Sequence, residues 1–181
     1  MLPEWTPADL PGDAKVTNMK TLLLVRHAKS SWGEPGLPDH ERPLNDRGRH
    51  DAPIMGKRLA KRGVEPDVIL TSTAVRARTT AGIIAGALDV EPRRIVTDDR
   101  LYAASREELL EVIFTLDDAL ACVMMIGHNP GLAELAHRFS EEIDDMPTCA
   151  VAEFGFDVTA WSQLDAAKAA SVVFDYPKKK A

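Results

Sequence analysis

Thr21 to Val25 form a short unbroken apolar run, and Arg26 and His27 follow it directly. A run of this length, rich in branched side chains and closed by polar residues, reads as a strand buried on both faces. The same pattern returns twice. Val68–Leu70 leads into Thr71, Ser72 and Thr73, and Ala121–Ile126 leads into Gly127, His128 and Asn129. Helical segments separate these runs. One begins near Asp46, which can cap it, and runs to about Arg62, with Ile54, Met55, Leu59 and Ala60 at helical spacing and Gly63 as its stop. A second spans about Ala74 to Leu88. A capping box at Ser105–Glu108 opens a third to about Leu116. Asn129 as cap and Pro130 in the first turn open a fourth to about Phe139. Minor and late strands are expected at Ile95–Val96, Ala150–Phe156 and Ala170–Asp175. This alternation predicts a three-layer α/β fold, a mostly parallel central sheet with helices on both faces.

Composition narrows the class. A chain of 181 residues, 45% hydrophobic and 28% charged, fits one domain with a real core. The net charge of −6, with 22 scattered basic residues, argues against nucleic acid as a partner. No apolar run approaches the roughly 20 residues that span a bilayer, so no membrane partner is expected. The first residues lack a positive start and an apolar stretch, so they do not read as a signal peptide. Residues 1–18, with Pro3, Pro7 and Pro11, read as an irregular arm; 19–177 as a single domain; 178–181 as a solvated basic tail. Cys122 and Cys149 read as buried thiols rather than a disulfide or metal pair. A soluble cytoplasmic protein is the expectation.

In a parallel sheet the carboxyl ends lie on one side, where open α/β folds bind ligands. The three strand ends therefore bring Arg26, His27, Ser72, Arg76 and His128 together. Two arginines and two histidines make a site for a dianion, because guanidinium forks match phosphate oxygens. Helix starts after Thr73 and His128 add free N–H groups. The long loop from Trp32 to Asn45, broken by Gly33, Pro35, Gly36, Pro38 and Pro43, carries Asp39, His40, Glu41 and Arg42, and Arg42 is a further clamp candidate. Each part also has a plain alternative. Arg76 fits a helix surface, Ser72 a helix cap, and His128 a bond to a nearby carbonyl. His40, His50 and His137 read as surface or structural residues. Ser30 and Ser31 have no acid and base placed for a triad.

These motifs resemble the histidine phosphatase superfamily (phosphoglycerate mutase-like). L-L-L-V-R-H-A resembles its first signature, T-S-T-A-V-R-A-R-T-T-A its Ser followed by Arg-Ala-x-x-Thr, and I-G-H-N-P-G-L its late Gly-His. The order and spacing agree over about residues 20–175. R-H-A-K-S-S-W with E-R-P-L-N-D-R-G looks most like the short SixA-type phosphohistidine phosphatases. The resemblance implies that His27 is the nucleophile and that Arg26, Arg76 and His128 hold the phosphate. It assigns Arg42 and Ser72 to substrate binding, and calls for no cofactor and no metal. The implied partners are a phosphorylated protein or a small phosphorylated molecule, with inorganic phosphate or sulfate able to occupy the pocket. Ala28 departs from the usual glycine. No proton-donating carboxyl is placed: Asn129 follows His128, Leu101-Tyr102-Ala103 lacks an acid, and Asp39 and Glu107 are weak candidates.

A neutral imidazole flanked by arginines suits in-line attack on phosphorus, giving a phosphohistidine that water then opens. An alkoxide leaves badly without an acid. A phosphohistidine ring protonated on its other nitrogen leaves as a neutral imidazole. The absent acid thus favours a P–N bond or an aryl phosphate. The alternatives are a phosphatase on small phosphate esters and a phosphate-binding module without turnover.

Overall fold

In a computed structural model, residues 19–179 are described; the expected arm at 1–18 and the last two residues of the expected tail lie outside them. Six strands form one sheet in the order β3-β2-β4-β1-β5-β6. They are β1 Lys20–Arg26, β2 Val68–Ser72, β3 Ile95–Asp98, β4 Cys122–Gly127, β5 Val151–Phe156 and β6 Ser171–Asp175. β1, β2, β3 and β4 run parallel to one another. β5 and β6 close the sheet antiparallel. The helices are α1 Asp46–Lys61, α2 Val75–Ala87, α3 Arg106–Phe114 and α4 Gly131–Phe139. Each expected strand and helix is present, within a few residues at its ends.

Alternation along the central strands builds the two cores. In β1, Leu22 and Leu24 face one side while Leu23 and Val25 face the other. In β4, Val123 and Met125 part from Met124 and Ile126 in the same way. α3 and α4 cover the first face with Leu109, Ile113, Leu132, Leu135 and Phe139. α1 and α2 cover the second with Ala52, Met55, Leu59, Ala81 and Ile84. Two-sided burial explains why these strands read as continuous apolar runs rather than alternating ones.

Two helix starts differ from expectation. Asn45, not Asp46, caps α1: its side chain accepts the Gly48 N–H at 2.9 Å. A cap lies just outside the first helical residue, and Asn45 is in extended backbone, as a cap requires. At α4 the residue before the helix is Pro130, and no side chain caps it. The Asn129 amide instead donates to Met146 O and Asp145 Oδ1, tying the start of α4 to the segment after it.

α1 leaves the end of β1 towards one face of the sheet, and α4 leaves the end of β4 towards the other. β1 and β4 are neighbours, with Arg26 paired to Gly127. Connections that part to opposite faces open a crevice between two strand ends. The crevice floor is fixed by close backbone approach. A Cβ on Gly131 would collide with Ala104 O, so only glycine lets α4 settle there. Gly131→Ala should therefore lower stability by about 1–3 kcal/mol, the usual range for overpacking against groups that cannot yield. Urea unfolding followed by circular dichroism measures it; an unchanged midpoint would contradict this packing.

Candidate active site

His27 lies one residue past the end of β1, and its N–H donates to Gly127 O at 3.1 Å. The residue is 8% exposed. Nδ1 is 2.7 Å from Ala28 O. A carbonyl can only accept, so Nδ1 carries the proton and Nε2 is the bare nitrogen. Arg76 Nε donates to that Nε2 at 3.2 Å. Ala28 is itself pinned: its N–H donates to Thr80 Oγ1 at 3.0 Å, and the Thr80 hydroxyl donates to Arg76 O at 2.7 Å. One threonine on α2 thus ties the strand end that aims the imidazole to the helix turn that carries Arg76. Thr80 is the threonine of the Arg-Ala-x-x-Thr pattern.

His128 stands beside His27, with ring centroids 5.0 Å apart. Its Nδ1 is 3.3 Å from Arg76 Nη2, and its Nε2 is 2.8 Å from Ser72 Oγ. Since Arg76 can only donate, Nδ1 accepts and Nε2–H donates to Ser72. Ser72, expected to bind substrate, is fully buried behind His128. Its hydroxyl fixes the tautomer of that ring instead of facing the crevice, because β2 keeps all five of its residues inside the sheet.

Arg26 anchors its Nη1 on Met146 O at 2.7 Å, while its Nε is buried and bonds no protein atom among the described residues. A buried donor of this kind is suited to an anion. Arg42 reaches in from the long loop and is only 7% exposed. Its Nε donates to Ser31 O, its Nη1 to Asp39 Oδ1 and its Nη2 to Ser30 Oγ, at 2.8, 2.8 and 3.0 Å. The Trp32 ring stacks on its guanidinium at 3.1 Å.

Asp39 joins the long loop to α2. Its Oδ2 accepts from Arg76 Nη2 at 2.8 Å and from Tyr102 Oη at 3.0 Å, and its backbone carbonyl accepts from Arg76 Nη1. A carboxylate was not expected among the convergent groups. Asp39 and Arg42 sit three residues apart across a short 3-10 turn, Asp39–Glu41, and that i, i+3 spacing of opposite charges was the available signal. Tyr102 had no comparable signal; its ring packs edge-on against His128 and His40. His40, expected to be a surface or structural residue, bonds Thr73 Oγ1 at 2.9 Å near this mouth. Glu107 is on the surface, hydrogen-bonded to Arg106.

Electrostatics follow from this packing. Burial, with the Arg76 and Arg26 charges adding to it against the Ala28 bond, lowers the His27 pKa from 6.5 to about 4. Burial, then His27 and Arg76, lowers His128 to about 3. Both rings are neutral at pH 7. Burial raises the Asp39 carboxyl, but hydrogen bonds from Arg76, Tyr102 and Arg42 outweigh it and hold the pKa at about 2. Asp39 is therefore a carboxylate at neutral pH and carries no proton to give. Among the described residues, no three His, Cys, Asp or Glu side chains cluster as metal ligands.

NMR titration of the imidazoles should give midpoints near 4 for His27 and near 3 for His128. A midpoint near 6.5 for either would contradict a dry, arginine-flanked pocket. Both folded values lie below the unfolded one, so the unfolded chain takes up these protons first. Stability should thus be undiminished by these groups above pH 6.5 and decline as pH falls through the window towards 4 and 3. Urea midpoints at pH 7 and pH 5 check the sign.

Comparisons with known proteins agree with this geometry. Residues 22–104 match the model of the histidine phosphatase superfamily (branch 1). An uncharacterized protein of Mycobacterium tuberculosis is 36% identical over 115 residues, 62% of this chain and 67% of the relative. A protein from Agrobacterium tumefaciens assigned as the phosphohistidine phosphatase SixA shares the fold with a TM-score of 0.72 and 28% identity, over 85% of this chain and 97% of that one. A protein histidine phosphatase SixA complexed with tungstate matches with a TM-score of 0.69 and 21% identity, over 86% and 94%.

Proposed function

Because the chain belongs to the histidine phosphatase superfamily, we propose that it is a metal-independent phosphohistidine phosphatase acting on a phosphorylated protein through its own phosphohistidine intermediate. The observation that carries this reading is the His27 ring, held by Ala28 O with Nε2 bare beside Arg76. A neutral nitrogen with a fixed lone pair is what attack on phosphorus needs. Arg26, Arg76 and His128 surround the transferring group, and Arg42 adds charge from the loop. The guanidiniums put positive charge where negative charge spreads over the phosphoryl oxygens. His27 forms the N–P bond as the bond to the leaving atom breaks. Water then attacks the phosphoryl group and restores the imidazole.

The leaving group decides the substrate class. The carboxyl in the pocket, Asp39, is ionised, and Glu107 is out on the surface. A sugar alkoxide would leave without help. A phosphohistidine ring protonated on its distal nitrogen leaves as neutral imidazole and needs no proton from the protein. Small aryl phosphates, whose leaving oxygen is already stable, are the second class that this pocket suits. Cys122 and Cys149 are free thiols, which fits the reducing cytoplasm as the working compartment.

His27→Ala should lower turnover on the order of a thousandfold or more, while tungstate or phosphate binding partly survives. Arg76→Ala should weaken both, since its charge contacts ground and transition states alike. With labelled substrate and a rapid quench, the wild type should show an acid-labile, base-stable phosphoenzyme that the His27 variant lacks. Near-wild-type turnover by His27→Ala would overturn the covalent mechanism. Tungstate should inhibit competitively and EDTA should leave the rate unchanged; loss of activity in EDTA, restored by a divalent ion, would sink the metal-free reading.

A further inference from the structure

We propose that Asp39 sets substrate specificity: its carboxylate accepts a hydrogen bond from the distal N–H of a protonated azole leaving group and so favours P–N over P–O substrates. The inference rests on the phosphohistidine reading above and assigns to Asp39 a task outside the phosphate clamp.

Position is the first ground. His27 forms the floor of the pocket, and in-line displacement places the leaving group on the far side of phosphorus, towards the mouth. Asp39 stands at that mouth. Its side chain is 52% exposed, while the Arg76 and Arg42 side chains that it bridges are 8% exposed. It also acts electrostatically on both rings, opposing the lowering of the His27 and His128 pKa values.

Capacity is the second ground. An ionised carboxylate has about four acceptor sites. Arg42 takes one on Oδ1; Arg76 and Tyr102 take two on Oδ2. An acceptor site remains on Oδ1, on a half-exposed group. The surroundings keep it ionised. Arg42 faces it from its own loop, Arg76 from α2, and Tyr102 from the segment after β3. His40, its chain neighbour, bonds Thr73 through Nε2 and Glu41 through Nδ1.

The step balances without proton transfer. The substrate ring enters with its distal nitrogen protonated and hence cationic. The His27 Nε2 pair forms the new N–P bond, and the old P–N pair goes to the leaving nitrogen. The leaving ring becomes neutral, and the positive charge passes to the His27 ring, whose Nδ1–H stays on Ala28 O. The part of Asp39 is to keep the substrate ring protonated at a pH where a free imidazole, with a pKa of roughly 6.5, would lose that proton. Against an aryl phosphate the same carboxylate faces a leaving oxygen with nothing to donate.

The test compares Asp39→Asn with wild type on phosphoimidazole and on p-nitrophenyl phosphate across pH 5 to 9, with tungstate inhibition as a separate reading of the arginine clamp. Asp39→Asn should lower kcat/KM for phosphoimidazole by roughly tenfold or more, in line with a lost hydrogen bond between charged groups. The alkaline limb of its kcat profile, which reports groups in the enzyme–substrate complex, should move down by about one pH unit. The rate on p-nitrophenyl phosphate should hold or rise, and the tungstate inhibition constant should change little. Equal losses on both substrates, together with weaker tungstate binding, would show that Asp39 only braces the two arginines and would overturn the proposal. A specific loss on phosphoimidazole without movement of the alkaline limb would also overturn it. A wild type that hydrolyses p-nitrophenyl phosphate but not phosphoimidazole would instead overturn the phosphohistidine reading, and this proposal with it.

Discussion

The bond from His27 Nδ1–H to Ala28 O governs the site. At 2.7 Å it fixes which nitrogen is protonated and where the other points. Without it an imidazole at a strand end is free to rotate and to change tautomer, and the Arg76 Nε–H loses its acceptor. The bond is local in sequence but depends on distant contacts. Ala28 is held by Thr80, and the backbone at His27 is held by Gly127 O and by the Cys149 N–H. So α2, β4 and the segment before β5 all converge on one peptide unit. The buried β1 and β4 supply a floor that does not move, on which a precise angle can be kept.

Charge is the second constraint. Three guanidiniums in one crevice repel one another and lose water, a cost of several kcal/mol per ion after relaxation. The protein offsets this with acceptors at fixed positions. Met146 O serves Arg26; Ser31 O and the Ser30 hydroxyl serve Arg42; Asp39 serves both Arg42 and Arg76. With both imidazoles neutral, one carboxylate against three guanidiniums leaves two positive charges facing the crevice. That is the complement of a phosphoryl dianion. A second carboxylate would halve it.

What was legible in the sequence followed from periodicity and order. Strands buried on both faces are unbroken apolar runs, so β1, β2 and β4 stood out, and parallel pairing then brought Arg26, His27, Arg76 and His128 to one edge of the sheet. Less legible were roles that depend on which way a side chain turns. Ser72 precedes a helix and looks open to substrate, yet the pleat turns it inward to His128. Asn129 has the composition of a cap, yet its amide is taken by Met146 O and Asp145. In sequence Asp39 is no more than a weak proton-donor candidate in a proline-rich loop. Its role needs Arg76 from another element, and no spacing within the chain records that meeting.

The site therefore has two halves of different origin. The strand-end half, with His27, Arg26, Arg76 and His128, is fixed by the sheet and by α2. The loop half, with Arg42, Trp32 and Asp39, has little apolar burial of its own; Trp32 is 76% exposed. Polar contacts hold it in place: an antiparallel bridge between Ser30 and Leu44, the Ser31 N–H to Pro43 O bond, and the Arg42 fork. Side-chain links between the halves run from Asp39 to Arg76 and from His40 to Thr73. Rigid groups next to the nucleophile and a polar, loop-borne wall at the mouth divide the labour. The first sets the chemistry at phosphorus, which a whole family can share. The second meets whatever the phosphoryl group is attached to, and can change without disturbing the nucleophile.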